Sequence, residues 1–262
     1  MKKKLIRKLD CIETRQGILL MWEVLDGVRL VRTTVYGIDN RTRQYSIISP
    51  LISTGRCLID TKNYPLLKSF KLEFVDTEGC VEESDDIIPQ RMEKAERLLL
   101  NNIKDRMAIW MKSTPIGSYP CTLLLRRVDG EPCDNCGYGI CATSGGGLTG
   151  DSCPICLGTG IKDPYFKYPK IEWMHGENPV EDIDNKQLAG LNRSTKTRVF
   201  RTVCDIHLKE GDVIVTGKEV YQIMKHEVKA SVGNAPADYL LTCIKYAPAD
   251  SRYPIFMELA SK

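Results

Sequence analysis

Two Cys-x-x-Cys pairs, Cys133-Asp134-Asn135-Cys136 and Cys153-Pro154-Ile155-Cys156, stand 16 residues apart, and no other feature of the sequence limits the fold so tightly. Two residues between paired thiolates let both sulfurs turn towards one ion, and a spacer of this length lies within the range of structural zinc ribbons. Gly137 and Gly158 beyond the pairs permit the tight backbone path this requires. Four thiolates close a tetrahedron and leave no position for water, so the expectation is one structural Zn2+ held by Cys133, Cys136, Cys153 and Cys156. Cys141, inside the spacer, either replaces one of these ligands or is a spare thiol. The stretch from Glu131 to Gly160, with Ser144-Gly145-Gly146-Gly147 at its centre, is too Gly-rich to fold on apolar burial, and an ion is the ordering agent.

The remaining six of the eleven cysteines, Cys11, Cys57, Cys80, Cys121, Cys204 and Cys243, are scattered through apolar or strand-like runs and read as small core hydrophobes. Disulfides fit less well. Met1-Lys2-Lys3-Lys4 is followed by Arg7, Lys8, Asp10, Glu13 and Arg15 where a secretory leader needs an apolar segment, so a reducing, cytosolic setting is expected. With 37 Lys+Arg against 34 Asp+Glu, the formal charge of +3 gives no bulk footprint for nucleic acid or an anionic membrane. The N-terminal apolar run Ile18 to Trp22 is far short of the ~18 residues of a membrane span. His175, His207 and His226 stand isolated, and no HExxH, GxSxG or GxxxxGK[ST] motif occurs, so no enzyme is expected. The acidic pairs Glu82-Glu83 and Asp85-Asp86 read as helix-start residues.

The expected fold class is mainly β and multi-module. Residues 1–83 read as a β-sandwich, with short strands bounded by turn residues, an Asp26-Gly27 turn, and Phe70, Leu72 and Phe74 on one buried face. In residues 84–130, Ser84-Asp85-Asp86 is placed to cap a helix over about 86–112, and Met92, Ala95, Leu99, Ile103, Met107 and Trp110 form its apolar stripe. A connecting strand from Pro120 to Val128 follows. Residues 131–162 are the ribbon, and 163–262 a small β-domain with a hairpin around Gly217-Lys218.

The run Cys153-Pro154-Ile155-Cys156-Leu157-Gly158-Thr159-Gly160 resembles the C-P-x-C-x-G-T-G knuckle of a family of tailed-bacteriophage neck or head–tail connector proteins. The similarity covers roughly residues 90 to 256: Cys121-Thr122-Leu123-Leu124-Leu125-Arg126-Arg127 ahead of the first pair, then Tyr165-Phe166-Lys167-Tyr168, Gly211-Asp212-Val213-Ile214, Tyr221 and Ser251-Arg252-Tyr253-Pro254-Ile255 behind the second. The first 80 residues look like a fibronectin type III or immunoglobulin-like sandwich, with Trp22 on the second strand, Leu58-Ile59-Asp60 as an apolar-x-Asp turn, and Phe70 where the module usually carries its corner tyrosine.

The resemblance implies a structural virion protein without catalysis, present as a ring of identical copies between capsid portal and tail. Its partners would be portal, adaptor, tail or collar subunits, with passive contact with packaged DNA and no membrane. Its location would be the virion, assembled in the bacterial cytoplasm. Two other classes fit parts of the sequence. Cys133-x-x-Cys136-Gly-Tyr-Gly139 and Cys153-x-x-Cys156-Leu-Gly-Thr-Gly160 are similar to the CxxCxGxG repeats of DnaJ-type chaperones, which carry four such repeats and a His-Pro-Asp absent here. A nucleic-acid-binding zinc ribbon would use a basic patch, for which Arg193, Lys196, Arg198 and Arg201 are the candidates.

Overall fold

The computed structural model describes residues 4–38, 45–47, 52–60, 67, 69–113, 117–135, 153–177 and 197–262. The chain is mainly β, with a closed six-stranded barrel and two α-helices among these residues.

The N-terminal strands are β1 (Ile6–Glu13), β2 (Ile18–Val24), β3 (Leu30–Ile38), β4 (Tyr45–Ile47), β5 (Arg56–Ile59), β6 (Ser69–Asp76) and β7 (Val81–Glu83). They form two antiparallel sheets, ordered β1-β2-β5 and β4-β3-β6-β7. Strict alternation along β6 turns Phe70, Leu72 and Phe74 inward, as the sequence pattern predicts. They meet Ile18, Leu20 and Trp22 of β2 and Cys57 and Ile59 of β5 in one core, with Trp22 edge-on to Phe74 at 5.8 Å. The turn into β2 passes so close to β5 that a Cβ on Gly17 would sit 2.0 Å from the Ile59 carbonyl oxygen.

Helix α1 spans Lys94–Ser113, beginning later than the sequence suggests. Ser84 is drawn into the sheet instead of capping: its amide and hydroxyl both bond Leu72, and Ile87 pairs with Phe70 through both backbone groups. The start is instead closed by Glu96, whose carboxylate accepts the Glu93 amide at 3.0 Å, in the manner of a capping box. The buried face is also rotated by one residue from the expected stripe. Leu100, Lys104 and Met111 are buried, whereas Ala95, Leu99 and Trp110 are exposed and Met92, Ile103 and Met107 half-buried. Lys104 accounts for the rotation, because its ammonium reaches inward to Asp205 at 2.8 Å and to the Cys204 carbonyl at 3.3 Å.

The remaining strands are β8 (Ser118–Arg126), β9 (Tyr165–Lys167), β10 (Glu172–Glu177), β11 (Thr197–Thr202), β12 (Val213–Thr216), β13 (Glu219–Val232) and β14 (Ala235–Lys245). Their order β10-β11-β14-β13-β12-β8, with β8 pairing back onto β10, closes an antiparallel barrel and removes its free edges. The strand after α1 is therefore a barrel stave. Its apolar run is explained by two covered faces: Cys121, Leu123 and Leu125 fill the barrel, while Leu124 lies outside under α2 (Arg252–Ser261) with Val213, Tyr165 and Phe256. The β12–β13 hairpin turns at Gly217-Lys218, as its sequence predicts.

The two-sheet unit and the barrel touch through charged groups, of which only the Arg56–Asp212 pair is fully buried among the described residues. Arg56 pairs with Asp212, Arg15 with Asp205, and the Lys209 ammonium donates to the Trp22 and Gly55 carbonyls at 2.7 and 3.1 Å.

Candidate metal centre

The centre hangs from the end of β8. Val128 donates its amide to the Ser53 carbonyl at 2.6 Å and Arg127 to that of Pro164 at 2.9 Å, which fixes the exit of the strand. Beyond it, Pro132 bridges Ile161, the Cys133 amide donates to Gly160 at 3.0 Å and the Lys162 amide to Glu131 at 3.0 Å. This short antiparallel pairing lays the arm bearing Cys133 beside the turn bearing Cys153 and Cys156. The turn is tight: the Leu157 amide reaches the Cys153 carbonyl at 2.8 Å, and the Thr159 amide and hydroxyl both reach that of Cys156. Leu157 and Gly158 take φ of 49° and 85°, so the second position favours glycine.

The sulfurs of Cys133, Cys153 and Cys156 all lie within 4.8 Å of one another. Those of Cys133 and Cys153 are 3.7 Å apart. A covalent disulfide needs about 2.05 Å. Four sulfurs at about 2.3 Å from a central zinc stand about 3.8 Å apart along each edge of the tetrahedron, so the observed separation fits a shared ion. Cys133 and Cys156 are buried and Cys153 is half-buried. Burial opposes ionisation of Cys153, but the backbone amides of Cys156 and Ile155 and the thiols of Cys133 and Cys156 bond to its sulfur and lower its pKa to about 7. A soft trio of sulfurs suits zinc, and Cys133, Cys153 and Cys156 would hold it. Bound there, the ion supplies structural cross-linking. The expected fourth ligand, Cys136, and the spare Cys141 lie outside the described residues.

The other described cysteines behave differently. Burial pushes the thiols of Cys121 and Cys204 up to about 12 and that of Cys11 up to about 11, as suits packed side chains. Asp76, Glu78 and Cys80 also lie close together, but the Asp76 carboxylate accepts the amides of Glu78 and Cys80 at 2.9 and 2.8 Å and holds the β6–β7 turn. His175 meets the Ser118 hydroxyl at 3.0 Å and packs at a tilt against Trp110, with no carboxylate bonded to it among the described residues.

The basic candidates are engaged within the barrel. Arg198 donates to the Tyr119 and Tyr221 hydroxyls at 2.9 and 3.1 Å, and Arg201 pairs with Asp238. Arg193 and Lys196 lie outside the described residues. Sequence reasoning missed Arg15, Arg56, Lys104, Asp205 and Lys209, whose partners are distant along the chain. Only Asp212 carried a signal, in Gly211-Asp212-Val213-Ile214. Comparison with protein-family models, with curated proteins and with solved structures finds no match to this chain.

Proposed function

We propose that the chain is a non-catalytic subunit of a tailed-bacteriophage neck, joining capsid portal to tail as a ring of identical copies. The observation that carries this reading is the convergence of Cys133, Cys153 and Cys156 at the end of an apolar barrel strand, where the C-P-x-C-x-G-T-G resemblance implies a zinc ribbon. In this reading Cys136 completes a four-cysteine site around one Zn2+, and the ion orders a segment that has too little apolar surface to fold alone. The division of the N-terminal strands, with the first, second and fifth on one sheet and the other four on the second, supports a fibronectin III-like sandwich.

A neck subunit needs rigid surfaces that meet neighbours of different symmetry while enclosing a DNA passage. The ion pairs between the two-sheet unit and the barrel, Arg56–Asp212 fully buried and Arg15–Asp205 partly so, serve that need by holding two separate contact surfaces in one orientation. The nucleic-acid reading draws less support, since Arg198 and Arg201 are bonded within the barrel. The test is imaging of assembled particles carrying labelled protein. Label at the portal vertex is expected; label confined to free nucleic acid or to unfolded clients would overturn the neck reading.

A further inference from the structure

A cavity of about 510 Å³ opens where the two-sheet unit, the cysteine turn and the barrel meet, bounded among others by Arg29, Arg56, Arg126, Arg127, Lys209 and Thr159. Its carboxylates do not balance these cations. Asp212 already accepts from Arg56 and from the amides of Arg126 and Lys209, at 2.9 and 2.7 Å for the two amides, and Asp26 is paired with Arg7. Glu23 and Glu210 remain, and among the described residues neither forms an ion pair with Arg126 or Arg127. The Nε of Arg127 is buried without a hydrogen-bond acceptor, a costly state for a guanidinium, although the buried Asp129 carboxylate feels its charge. The Lys209 ammonium rests on two carbonyls and forms no direct ion pair among the described residues. Burial, and then the charge of Arg56, bring its pKa down to about 7 against the opposing charges of Asp212, Glu23 and Asp10.

We propose that this cavity binds a phosphate-bearing anion, held by the guanidinium groups of Arg126 and Arg127. Planar guanidinium forks match phosphate oxygens in pairs, and the volume falls within the range of small-ligand sites. The same chemistry has two sources, a free polyphosphate or the backbone of a single nucleic-acid strand entering the cleft. The proposal does not rest on the neck reading, although Thr159 and Ile161 of the cysteine turn form part of the cavity wall.

Calorimetric titration of the full chain with inorganic pyrophosphate at low salt tests it. One saturable site per chain is expected, weakened roughly tenfold or more in each of Arg126→Gln and Arg127→Gln. Competition with a single-stranded oligonucleotide separates the sources: displacement of pyrophosphate assigns the site to a strand backbone, and no displacement to a free polyphosphate. Phenylglyoxal labelling of the unaltered protein, read by peptide mass spectrometry, supplies a measure that needs no variant to fold, with pyrophosphate protecting both arginines. Absence of pyrophosphate binding, affinity unchanged in both variants, or labelling unaffected by pyrophosphate would each overturn the proposal.

Discussion

Arg56 on β5 and Asp212 ahead of β12 form an ion pair in which both side chains are sealed from water, at 0% and 1% exposure, between residues 156 apart in the sequence. Desolvating two charges is costly, and the pair persists because its remaining hydrogen-bonding capacity is met. Arg56 also donates to the His207 and Thr54 carbonyls at 2.6 and 3.2 Å, and Asp212 accepts the two amides at the cavity wall. Removing one partner strands the other. Arg56→Ala is expected to cost about 3–5 kcal/mol in denaturant unfolding, and Asp212→Leu at least as much, since it also removes the acceptor of the Arg126 and Lys209 amides. A cost below about 1 kcal/mol for Arg56→Ala would show that the pair is not sealed.

The helix offers a contrast between neighbours. Leu100 is fully buried against Val232, Ala235 and Ala237, whereas Leu99 is 54% exposed. Leu100→Ala should therefore cost about 2–5 kcal/mol and Leu99→Ala about 0.5 kcal/mol or less. The apolar spacing of the sequence alone ranks them the other way, so thermal denaturation of the two variants decides which face packs.

Stability should depend on pH through Lys209. Burial and the neighbouring Arg56, opposed by Asp212, Glu23 and Asp10, lower its pKa from 10.5 to about 7 in the folded chain. Between those values the unfolded chain holds a proton that the folded chain has lost, so stability rises with pH across that window, by up to about 1.4 kcal/mol per pH unit. Lys209→Met should flatten this slope. His207 acts in the same direction at lower pH, since burial and His226 bring its pKa from 6.5 down to about 3 and acidification below the upper value favours the unfolded chain. Urea midpoints measured from about pH 5 to 10 check both, and an unchanged slope in Lys209→Met would remove Lys209 from the account.

Local patterns were legible in the sequence and distant pairings were not. Phe70, Leu72 and Phe74 alternate because one face of β6 is buried, and Gly217-Lys218 reads as a hairpin because such a turn needs a positive φ, here 56° at Gly217. Barrel closure rests on Cys121 meeting Glu172 and Ser118 meeting His175, a register that no periodicity encodes. The helix face was misread because the apolar stripe ignores Lys104, whose burial depends on Asp205 a hundred residues on. At the centre, spacing pointed to Cys133, Cys153 and Cys156, since two intervening residues already bring paired thiols together. The charges at the junction gave no such signal, because a lone Arg56 or Lys209 in sequence looks like any exposed cation.

The most direct test of the account is the metal content of protein purified without added zinc, followed by replacement with Co2+. One zinc per chain is expected, giving on cobalt substitution the intense thiolate-to-metal absorption of a tetrahedral sulfur site, lost in Cys156→Ser together with the pairing of the Cys133 arm with the Cys153–Cys156 turn. Protein free of stoichiometric metal, with Cys133, Cys153 and Cys156 titrating freely as thiols while the chain stays folded, would contradict it.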